Sequence, residues 1–453
     1  MENKDKLINN LSNVFDNNDI KFDSLNIEKY RNDWSTNFES NPIAIVFPRE
    51  KKQVQEVINL CNEYKYPLIG SGGRTGLSGG ASAMKNELIL SFDKMNNIID
   101  FDQTSKTLLC QPGLITEEIQ SFADKNNLYY PVDFSSVGSS QIGGNIATNA
   151  GGIRVIKYGL TSRYVVGMEV ISGNGENYHS DNMLIKNATG PNINNLFIGS
   201  EGVFGLTTSC RIQLIQKPQE THVVLIGFNE LSSLEELMKA ILNYDIEAIE
   251  FFTKNALKKV SKEFDSVDDK NLDNDYFILV ENCNQNSFNK ALEKIYKDNL
   301  VDEIIVSTNN TQKELIWQYR LLISESISKN FPIKFDVAVP VKNIPILINR
   351  LELFFKNKKT YNLILFGHLG DGNLHINILS ESKISKDENL EIENNIYSII
   401  IELNGTISAE HGIGINKAKA FLRYGDKAKI NLIKYLKNYF DENKILNPGK
   451  LVE

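Results

Sequence analysis

The stretch 363–378, LILFGHLGDGNLHINI, constrains the fold most, because it predicts a β-hairpin that carries two of the chain's five histidines. Asp371-Gly372 is a dipeptide typical of a two-residue type I′ turn, and apolar runs flank it on both sides. With that turn, His368 faces His375 directly, with Cβ atoms about 5 Å apart. Asn377 shares the face of His375 because strand residues alternate with period two. Two imidazoles at that separation can chelate one ion.

A carboxylate would complete a three-ligand site with open positions, as a catalytic metal requires. The candidate is Glu410 in SAEHGIG at 408–414, where His411 adds a candidate base. Zinc is the first choice of ion, although two histidines and a carboxylate also suit iron or manganese. His-x₆-His spacing is weak on its own. The alternative is a solvated hairpin and an unrelated Glu-His loop.

Length and charge limit the class of protein. The 453 residues suffice for about three domains, and a hydrophobic content of 41% is ordinary for a globular chain. A net charge of −8 and a pI near 5.4 argue against nucleic acid or an anionic membrane as partner. An anionic substrate therefore needs locally placed cations.

Cysteine usage and the N-terminus predict a cytoplasmic protein. The four cysteines are scattered without a C-x-x-C pair, which fits reduced thiols better than a disulfide framework. The N-terminus MENKDKLINNLSNVF has no apolar signal region, and no run of about 18 apolar residues occurs. We therefore expect no integral membrane segment. The sequence leaves a homodimer open.

Three glycine-rich segments predict a ligand cradle. The first, 70–80, has six glycines in eleven residues, so backbone N–H groups can converge on an anion. Its spacing misses G-x-G-x-x-G, which disfavours a nicotinamide-binding turn and leaves a flexible loop as the alternative. The second, 138–152, has small residues, hydroxyls and amides that suit a loop against a flat cofactor. The third, 199–205, leads into a predicted strand, Leu206–Ile215.

The pattern of predicted elements is α+β. Before residue 217, strands and helices open an α/β region, and afterwards strands alternate with helices in a second region. The predicted strands of that region lie near 221–228, 276–283, 303–307, 333–339 and 361–367, with helices near 232–244, 286–298, 311–329 and 343–357.

Two cations of the second region are candidates for binding an anionic substrate. Arg320 lies beside the apolar stripe of the predicted helix 311–329, where an unpaired charge is costly and a ligand carboxylate would satisfy it. Ser324 lies one turn later and can share that face. Lys334 points away from the apolar face of its strand. The alternative for Lys334 is a solvated pair with Asp336.

The glycine segments, together with FGHLGDGNLHIN, SAEHGIG and the closing LNPGK at 446–450, resemble one family. The three glycine segments are similar to the flavin domain of the vanillyl-alcohol oxidase/para-cresol methylhydroxylase superfamily. The full set resembles the FAD-dependent D-2-hydroxy acid dehydrogenases, over roughly residues 40 to 450. The resemblance implies a two-part FAD-binding domain over 1–216, a ferredoxin-like α+β substrate cap over 217–385, and a helical C-terminal segment over 386–453.

The resemblance also implies site residues. Two positions depart from the family's pattern, Arg74 in place of a smaller residue and Val203 in place of a Thr, and no His or Cys follows Arg74 to attach a flavin covalently. The residues implied to hold noncovalent FAD are Gly72, Gly73, Arg74, Thr75, Gly76, Leu77, Gly138, Ser139, Gly143, Gly144, Asn145, Thr148, Asn149, Gly151, Gly152, Glu201, Gly202 and Asn447. Those implied to hold substrate are Arg320, Ser324, Lys334 and Asn377.

The expected reaction is oxidation of a D-2-hydroxy acid to the 2-oxo acid. The metal at His368, His375 and Glu410 would bind the substrate, and His411 would take the hydroxyl proton. The two cap cations favour D-2-hydroxyglutarate over D-lactate or glycolate. A flavin-free metal-dependent hydrolase and a non-catalytic flavoprotein subunit are the alternatives. The electron acceptor, whether a quinone, an electron-transfer flavoprotein or another carrier, is not specified by the sequence.

Overall fold

The computed structural model describes residues 2–35, 39–181, 184, 186–330, 332–358, 360–380, 382 and 384–452. Contacts divide the chain into two compact units. The first comprises Met1–Gly151, Leu160–Lys217 and Glu410–Glu453, and the second comprises Gly152–Gly159 and Pro218–Ala409. Within the described ranges, no helix combines the length and apolar character needed to cross a bilayer.

The helices supply the layers that cover the sheets of each unit. In chain order they are α1 (Glu2–Val14), α2 (Ser24–Tyr30), α3 (Lys51–Tyr64), α4 (Thr116–Lys125), α5 (Ile142–Thr148), α6 (Val155–Tyr158), α7 (Asn194–Phe197), α8 (Leu234–Ile241), α9 (Lys254–Glu263), α10 (Gln285–Lys297), α11 (Asn310–Leu321), α12 (Ile323–Ser328), α13 (Ile344–Phe355), α14 (Lys386–Glu402), α15 (Ala418–Tyr424) and α16 (Lys427–Phe440).

The first unit contains two main sheets. Its strands are β1 (Ile20–Lys21), β2 (Ala44–Val46), β3 (Leu68–Ser71), β4 (Leu88–Ser91), β5 (Ile98–Asp102), β6 (Thr107–Cys110), β7 (Leu128–Tyr129), β8 (Val165–Ser172), β9 (Asn177–His179), β10 (Gly205–Gln213) and β11 (Ile215–Gln216). A four-stranded sheet has the order β1-β2-β4-β3, with β2, β3 and β4 parallel. A five-stranded antiparallel sheet has the order β5-β6-β10-β8-β9.

Helices α1 and α3 cover the parallel sheet. Their apolar residues recur at helical spacing, Leu7 and Leu11 on α1 and Val54, Val57 and Ile58 on α3, and all five are fully buried in one core. Helix α3 ends where Lys65 adopts a left-handed conformation with φ of 50°, which turns the chain back into β3. The first glycine segment therefore starts from a strand that is fixed by a packed core.

The second unit is built on one antiparallel sheet of seven strands. These are β12 (His222–Phe228), β13 (Ile246–Thr253), β14 (Tyr276–Asn282), β15 (Glu303–Val306), β16 (Ile333–Ala338), β17 (Tyr361–His368) and β18 (Asn373–Ser380). Their spatial order is β15-β12-β14-β13-β17-β18-β16. A core that includes Phe252, Phe277, Trp317 and Phe366 packs α9, α11 and α12 against the sheet.

The α+β fold class is confirmed, but the second unit contains two elements that were not predicted, β13 and α9, and one predicted helix is divided. Strand β13 was missed, because Glu247 and Glu250 stand three residues apart and break the period-two pattern of a half-buried strand. The single helix predicted over 311–329 is wrong, since the chain forms α11 and α12 with a break at Leu322.

The division of the chain also differs at one expected boundary. The sequence was expected to leave the cap at residue 386, whereas the contacts keep α14 in the second unit and return to the first at Glu410. The reason is packing: Tyr397 on α14 makes an edge-to-face contact with Phe335 on β16, with ring centroids 5.5 Å apart.

Candidate active site

The histidine hairpin forms, but in a different register from the predicted one. Phe366, not His368, pairs with His375, because the connection is longer than two residues. Residues 369–371 make a 3₁₀ turn, and Gly372 then adopts φ of 77°. The predicted two-residue type I′ turn is therefore wrong. His368 and His375 are instead diagonal neighbours on one face, with ring centroids 5.3 Å apart and a nitrogen of each within 4.8 Å of the other.

Two carboxylates that the sequence did not single out as site residues lie behind the two histidines. Glu250 is directly opposite His368 across β13 and β17, and it is fully buried. Its Oε1 lies 2.7 Å from Nδ1 of His368, so Nδ1 donates and Nε2 is the nitrogen through which the ring would bind an ion. Asp336, opposite His375 in β16, has Oδ1 3.6 Å from Nδ1 of that ring and accepts a 2.8 Å hydrogen bond from the Asn373 amide.

Arg320 is neutralised from within the protein. Its guanidinium carbon lies 4.7 Å from the Phe366 ring centroid, and its Nε lies 2.6 Å from Oε2 of Glu250. We expected a ligand carboxylate to satisfy this buried charge, but Glu250 supplies the carboxylate. Arg320, Glu250 and His368 thus form one continuous row. Ser324 is exposed on α12, beyond the helix break that the prediction did not include.

Lys334 and Asn377 face each other across β16 and β18. Asn377 is buried, while Lys334 keeps solvent access. Desolvation by the surrounding residues lowers the pKa of the Lys334 ammonium. Asp336 turns to Asn373 and His375, and among the described residues Lys334 has no ion-pair partner. This ammonium is consequently available to an anionic ligand.

The first two glycine segments of the first unit pack against each other. A Cβ on Gly73 would lie 2.2 Å from the Ser139 carbonyl oxygen, so that position excludes any larger residue. A Cβ on Gly72 would lie 3.6 Å from Cα of Gly144. The Cβ position of Gly144 itself has no atom within 4 Å, so the backbone there borders open space. Closely packed glycine backbones beside the open space at Gly144 fit a flat, phosphate-bearing cofactor.

Residues 142–148 of the second segment form helix α5, where a loop was expected. Gly143 cannot be replaced there without a clash, because a Cβ would come within 2.6 Å of the Pro112 ring. Two polar side chains predicted to lie along the cofactor also bond to the protein. Asn145 donates to the Thr116 hydroxyl at 2.6 Å, and Thr148 donates to the Gly144 carbonyl at 3.0 Å.

The remaining predicted cofactor residues are spread over four places. Thr75, Gly76 and Leu77 continue the first segment after β3, Gly138 precedes α5, Asn149 and Gly151 follow it, and Gly152 starts the short stretch grouped with the second unit. The amide oxygen of Asn149 accepts a 2.9 Å hydrogen bond from the Ser162 N–H, and Asn149 ends α5 in a left-handed conformation.

Arg74 is fixed beside the first segment by an aromatic ring and a carboxylate. Its guanidinium carbon lies 4.1 Å from the Tyr30 ring centroid, and Nη1 lies 3.6 Å from Asp93 and donates to the Gly72 carbonyl at 2.8 Å. Burial alone would raise the pKa of the Asp93 carboxyl, but Arg74 and the Tyr30 hydroxyl bring it below its usual value. Arg74 therefore supplies a held positive charge at this loop.

Asn447 connects two cofactor segments. Its amide oxygen accepts a 3.0 Å hydrogen bond from the Gly70 N–H, and its amide nitrogen donates to the Glu201 carbonyl at 2.7 Å. This side chain therefore orders both segments, and its place near the flavin ring stays a prediction. Gly202, beside Glu201, has φ of 71°, and a Cβ there would lie 2.8 Å from the Asn447 amide.

Glu410 and His411 are half-buried and begin the last stretch of the first unit. The Ser78 hydroxyl donates to the His411 carbonyl at 2.7 Å, which fastens this loop to the first glycine segment. Before Glu410, the Ala409 N–H donates to the Asp336 carbonyl at 3.3 Å. Glu410 therefore directly follows Ala409, whose backbone is bonded to Asp336, the strand partner of His375.

Comparison with known proteins identifies related chains. Residues 42–181 match the family model described as FAD binding domain, and residues 217–451 match the one described as FAD linked oxidases, C-terminal domain. A D-2-hydroxyglutarate dehydrogenase of Stutzerimonas stutzeri is 37% identical over 98% of both chains. One of Xanthomonas citri is 34% identical over 96% of this chain and 94% of that one. A mitochondrial D-2-hydroxyglutarate dehydrogenase of Arabidopsis thaliana is 31% identical over 95% and 78%.

Solved structures share the fold at lower identity. p-Cresol methylhydroxylase with substrate bound matches with a TM-score of 0.79 and 16% identity, over 100% of this chain and 98% of that one. Alkyldihydroxyacetonephosphate synthase matches with a TM-score of 0.75 and 16% identity, over 98% and 85%. At these identities the likeness concerns the fold alone.

Proposed function

The chain belongs to the FAD-dependent D-2-hydroxy acid dehydrogenases of the vanillyl-alcohol oxidase/para-cresol methylhydroxylase superfamily, and from that premise we propose that its substrate is D-2-hydroxyglutarate. It oxidises a D-2-hydroxy acid with FAD as the electron acceptor. The flavin-free hydrolase and the non-catalytic subunit are therefore set aside. The proposal extends to a divalent metal, a general base and the residues that bind the substrate.

The observation that carries the metal proposal is the row of Arg320, Glu250 and His368. A buried carboxylate that accepts from Nδ1 of a histidine fixes the tautomer and directs Nε2 toward a metal, as outer partners of metal ligands do. His375 adds a second imidazole on the same face. Glu410 is the proposed third ligand, because it directly follows Ala409, whose backbone is bonded to Asp336, the strand partner of His375. We assign zinc first, and iron or manganese fit the same donors.

The glycine cradle of the first unit fits noncovalent FAD. The close packing of Gly73 against Ser139 and the open side of Gly144 support binding along the backbone of these segments. Arg74 adds a positive charge suited to a pyrophosphate. When bound, FAD supplies a two-electron acceptor for the hydride that leaves the substrate Cα. With no His or Cys after Arg74 in the first segment, the bound group is proposed to be noncovalent.

Residues of the chain take up the proton that this oxidation releases and orient the groups that take part in it. The alcohol must lose a hydride from Cα and a proton from its hydroxyl, and we assign the proton to His411 as general base. His368, His375 and Glu410 would hold a divalent ion, which would supply Lewis-acid chemistry for the loss of the hydroxyl proton. Glu250 keeps His368 oriented, and Ser78 holds the backbone of His411. Removing either contact should misplace the group it holds.

The preference for a dicarboxylate rests on Lys334. Because Glu250 balances Arg320, Lys334 is the predicted cation whose charge has no partner among the described residues of the second unit. Asn377, its strand partner, can donate to the same carboxylate, and the remaining N–H groups of Arg320 can add to it. Ser324 is retained as a weaker candidate. D-lactate lacks the second carboxylate, so it leaves the ammonium without a counter-ion.

A dye-coupled assay with D-2-hydroxyglutarate and D-lactate tests the substrate. Since a charge-assisted contact contributes about 1.5–3 kcal/mol, we expect kcat/KM to favour the dicarboxylate by about 10- to 150-fold. Lys334→Ala should collapse that ratio, whereas Lys329→Ala, a change at an exposed lysine of the same unit, should preserve it. Equal kcat/KM for both acids, or an unchanged ratio in Lys334→Ala, would reject the dicarboxylate proposal in favour of D-lactate or glycolate.

Three further parts of the proposal concern the setting of the enzyme. We propose a cytoplasmic location, which is supported by four cysteines that are all free thiols in the structure. The reduced flavin requires an acceptor, for which a quinone, an electron-transfer flavoprotein and a similar carrier are candidates. A homodimer is compatible with the chain, and gel filtration of the purified protein distinguishes it from a monomer.

A further inference from the structure

Glu201 has an unusual backbone and a fully committed carboxylate. It adopts φ of 55°, a conformation that residues with a side chain rarely take, and it is 8% exposed. Its N–H donates to the Ala147 carbonyl at 2.7 Å, and its carbonyl accepts from Asn447. The two carboxylate oxygens accept hydrogen bonds from the N–H groups of Ile413, at 2.7 Å, and Gly414, at 2.6 Å. A residue keeps a strained backbone conformation only where several contacts of the surrounding protein hold it there.

The loop that Glu201 holds contains His411. Gly412 has φ of 73°, and a Cβ there would lie 3.0 Å from Oε1 of Glu201. Gly414 has φ of 51°, and a Cβ there would lie 2.1 Å from the Ser78 carbonyl oxygen. The Ser78 hydroxyl fixes the carbonyl of His411 from the other side. Three hydrogen bonds and two closely packed glycines therefore define the backbone around one histidine.

Two opposing effects act on the ionisation of Glu201. Burial raises the pKa of this carboxyl above its usual value, and the hydrogen bonds from Ile413 and Gly414, followed by the charges of Lys450 and Lys417, offset that rise only in part. Hydrogen bonds from N–H groups to a carboxylate are charge-assisted and stronger than neutral ones. A neutral amide at this position could accept from one of the two N–H groups but would turn its own N–H toward the other.

We propose that Glu201 is a positioning residue for the oxidation: its carboxylate sets the place of His411 by holding Ile413 and Gly414. This role adds to the cofactor contact that the family resemblance implied, and it rests on the backbone donor that each carboxylate oxygen has. The inference rests on the proposed function in one respect, namely that His411 is the general base. In this role Glu201 acts through the backbone of the loop that contains His411.

The test compares Glu201→Gln with a matched change in the same unit. Glu87 is also buried, and its carboxylate also accepts from two consecutive N–H groups, those of Met84 and Lys85, which belong to no catalytic loop. With FAD and metal content measured in each holoenzyme, Glu201→Gln should lower kcat by about 10- to 100-fold while KM changes less than about threefold. Glu87→Gln should lower thermal stability similarly and leave kcat near wild type.

A second step separates positioning from general damage. In a His411→Ala background, Glu201→Gln should cause no further loss of kcat, because the group that it positions is gone. Losses that multiply, or equal losses of kcat in Glu201→Gln and Glu87→Gln, overturn the inference while leaving His411 as base. A His411→Ala enzyme with wild-type kcat overturns the proposed base itself, and the inference with it. If Glu201→Gln does not fold, Ser78→Ala releases the same loop and is judged by the same cycle.

Discussion

The Nδ1 atom of His368 lies 2.7 Å from Oε1 of Glu250, a carboxylate that has no exposed surface and also neutralises Arg320. This contact gives the hairpin an oriented imidazole rather than a mobile one. It would also allow a buried arginine to lie beside the proposed metal site, since the carboxylate separates the two positive groups. The orientation of His368 is therefore set before any ligand binds.

Removing Glu250 should weaken the metal site without removing a ligand. We expect Glu250→Ala to lower metal affinity by about 10- to 100-fold, the usual effect of losing the partner of a ligating histidine. Elemental analysis after dialysis against graded chelator measures it. Glu247→Ala is the control, because Glu247 is equally buried on β13 and bonds to Lys157 and Tyr158 instead. Equal metal retention in both variants would contradict the role of Glu250.

Gly144 tests the flavin cradle independently of catalysis. Its Cβ position borders open space, so Gly144→Ala should keep or raise the stability of the apoprotein by about 0.5–1 kcal/mol through better helix formation in α5. The same methyl group should enter the space for FAD and lower flavin occupancy. Thermal unfolding of the apoprotein and FAD titration measure the two effects. Unaltered FAD binding in Gly144→Ala would reject this cradle.

Noncovalent FAD is tested by acid precipitation. The first glycine segment has no His or Cys beside Arg74, so no side chain there can attach the ring. Acid should release a yellow supernatant and leave a colourless pellet. A pellet that keeps the flavin colour after denaturation would show covalent attachment and contradict the prediction.

The burial of Lys450 should make the free energy of unfolding depend on pH. It is 1% exposed, and within the described chain its ammonium has no hydrogen-bond partner. Burial lowers its pKa from 10.5 to about 7, against the opposing charges of Glu87, Asp33 and Glu201. Between those two values the unfolded chain holds a proton that the folded chain has lost, so the free energy of unfolding gains a contribution that rises with pH, on the order of 5 kcal/mol in total.

Substitution isolates that contribution. Lys450→Met removes it, so the stability of the wild type relative to the variant should increase as the pH is raised from below 7 towards 10. Urea denaturation at several pH values measures the difference. Lys434→Met, at an exposed position of α16, is the control and should show no such trend. A wild-type minus Lys450→Met difference that does not vary with pH would contradict the lowered pKa.

The sequence identified the parts of the site better than their connections. The glycine segments and the histidine pair could be predicted, because turn chemistry and strand alternation are local. The register of the hairpin could not, since the 3₁₀ turn before Gly372 lengthens the connection beyond the Asp-Gly dipeptide. The two histidines still share a face because the error is two residues, a full period of the strand.

Glu250 and Glu201 were missed in their roles for a different reason. Glu250 lies on β13, which the pattern did not reveal because its two glutamates interrupt the alternation. Its partner His368 is more than a hundred residues away, and such pairs form only through the sheet. Glu201 was linked to the cofactor by resemblance, whereas its carboxylate meets the loop after His411, over two hundred residues away. Contacts at that separation are set by tertiary packing rather than by local sequence.

The most direct test of metal-dependent oxidation of D-2-hydroxyglutarate is a single anaerobic mixing experiment. Holoenzyme and chelator-treated enzyme, each with its FAD retained, are mixed with D-2-hydroxyglutarate without an electron acceptor, and the visible flavin band is followed. The account predicts rapid bleaching of the holoenzyme, loss of bleaching after chelation, and recovery on adding Zn²⁺ to the wild type but not to His375→Ala. Equal bleaching with and without the metal would contradict it.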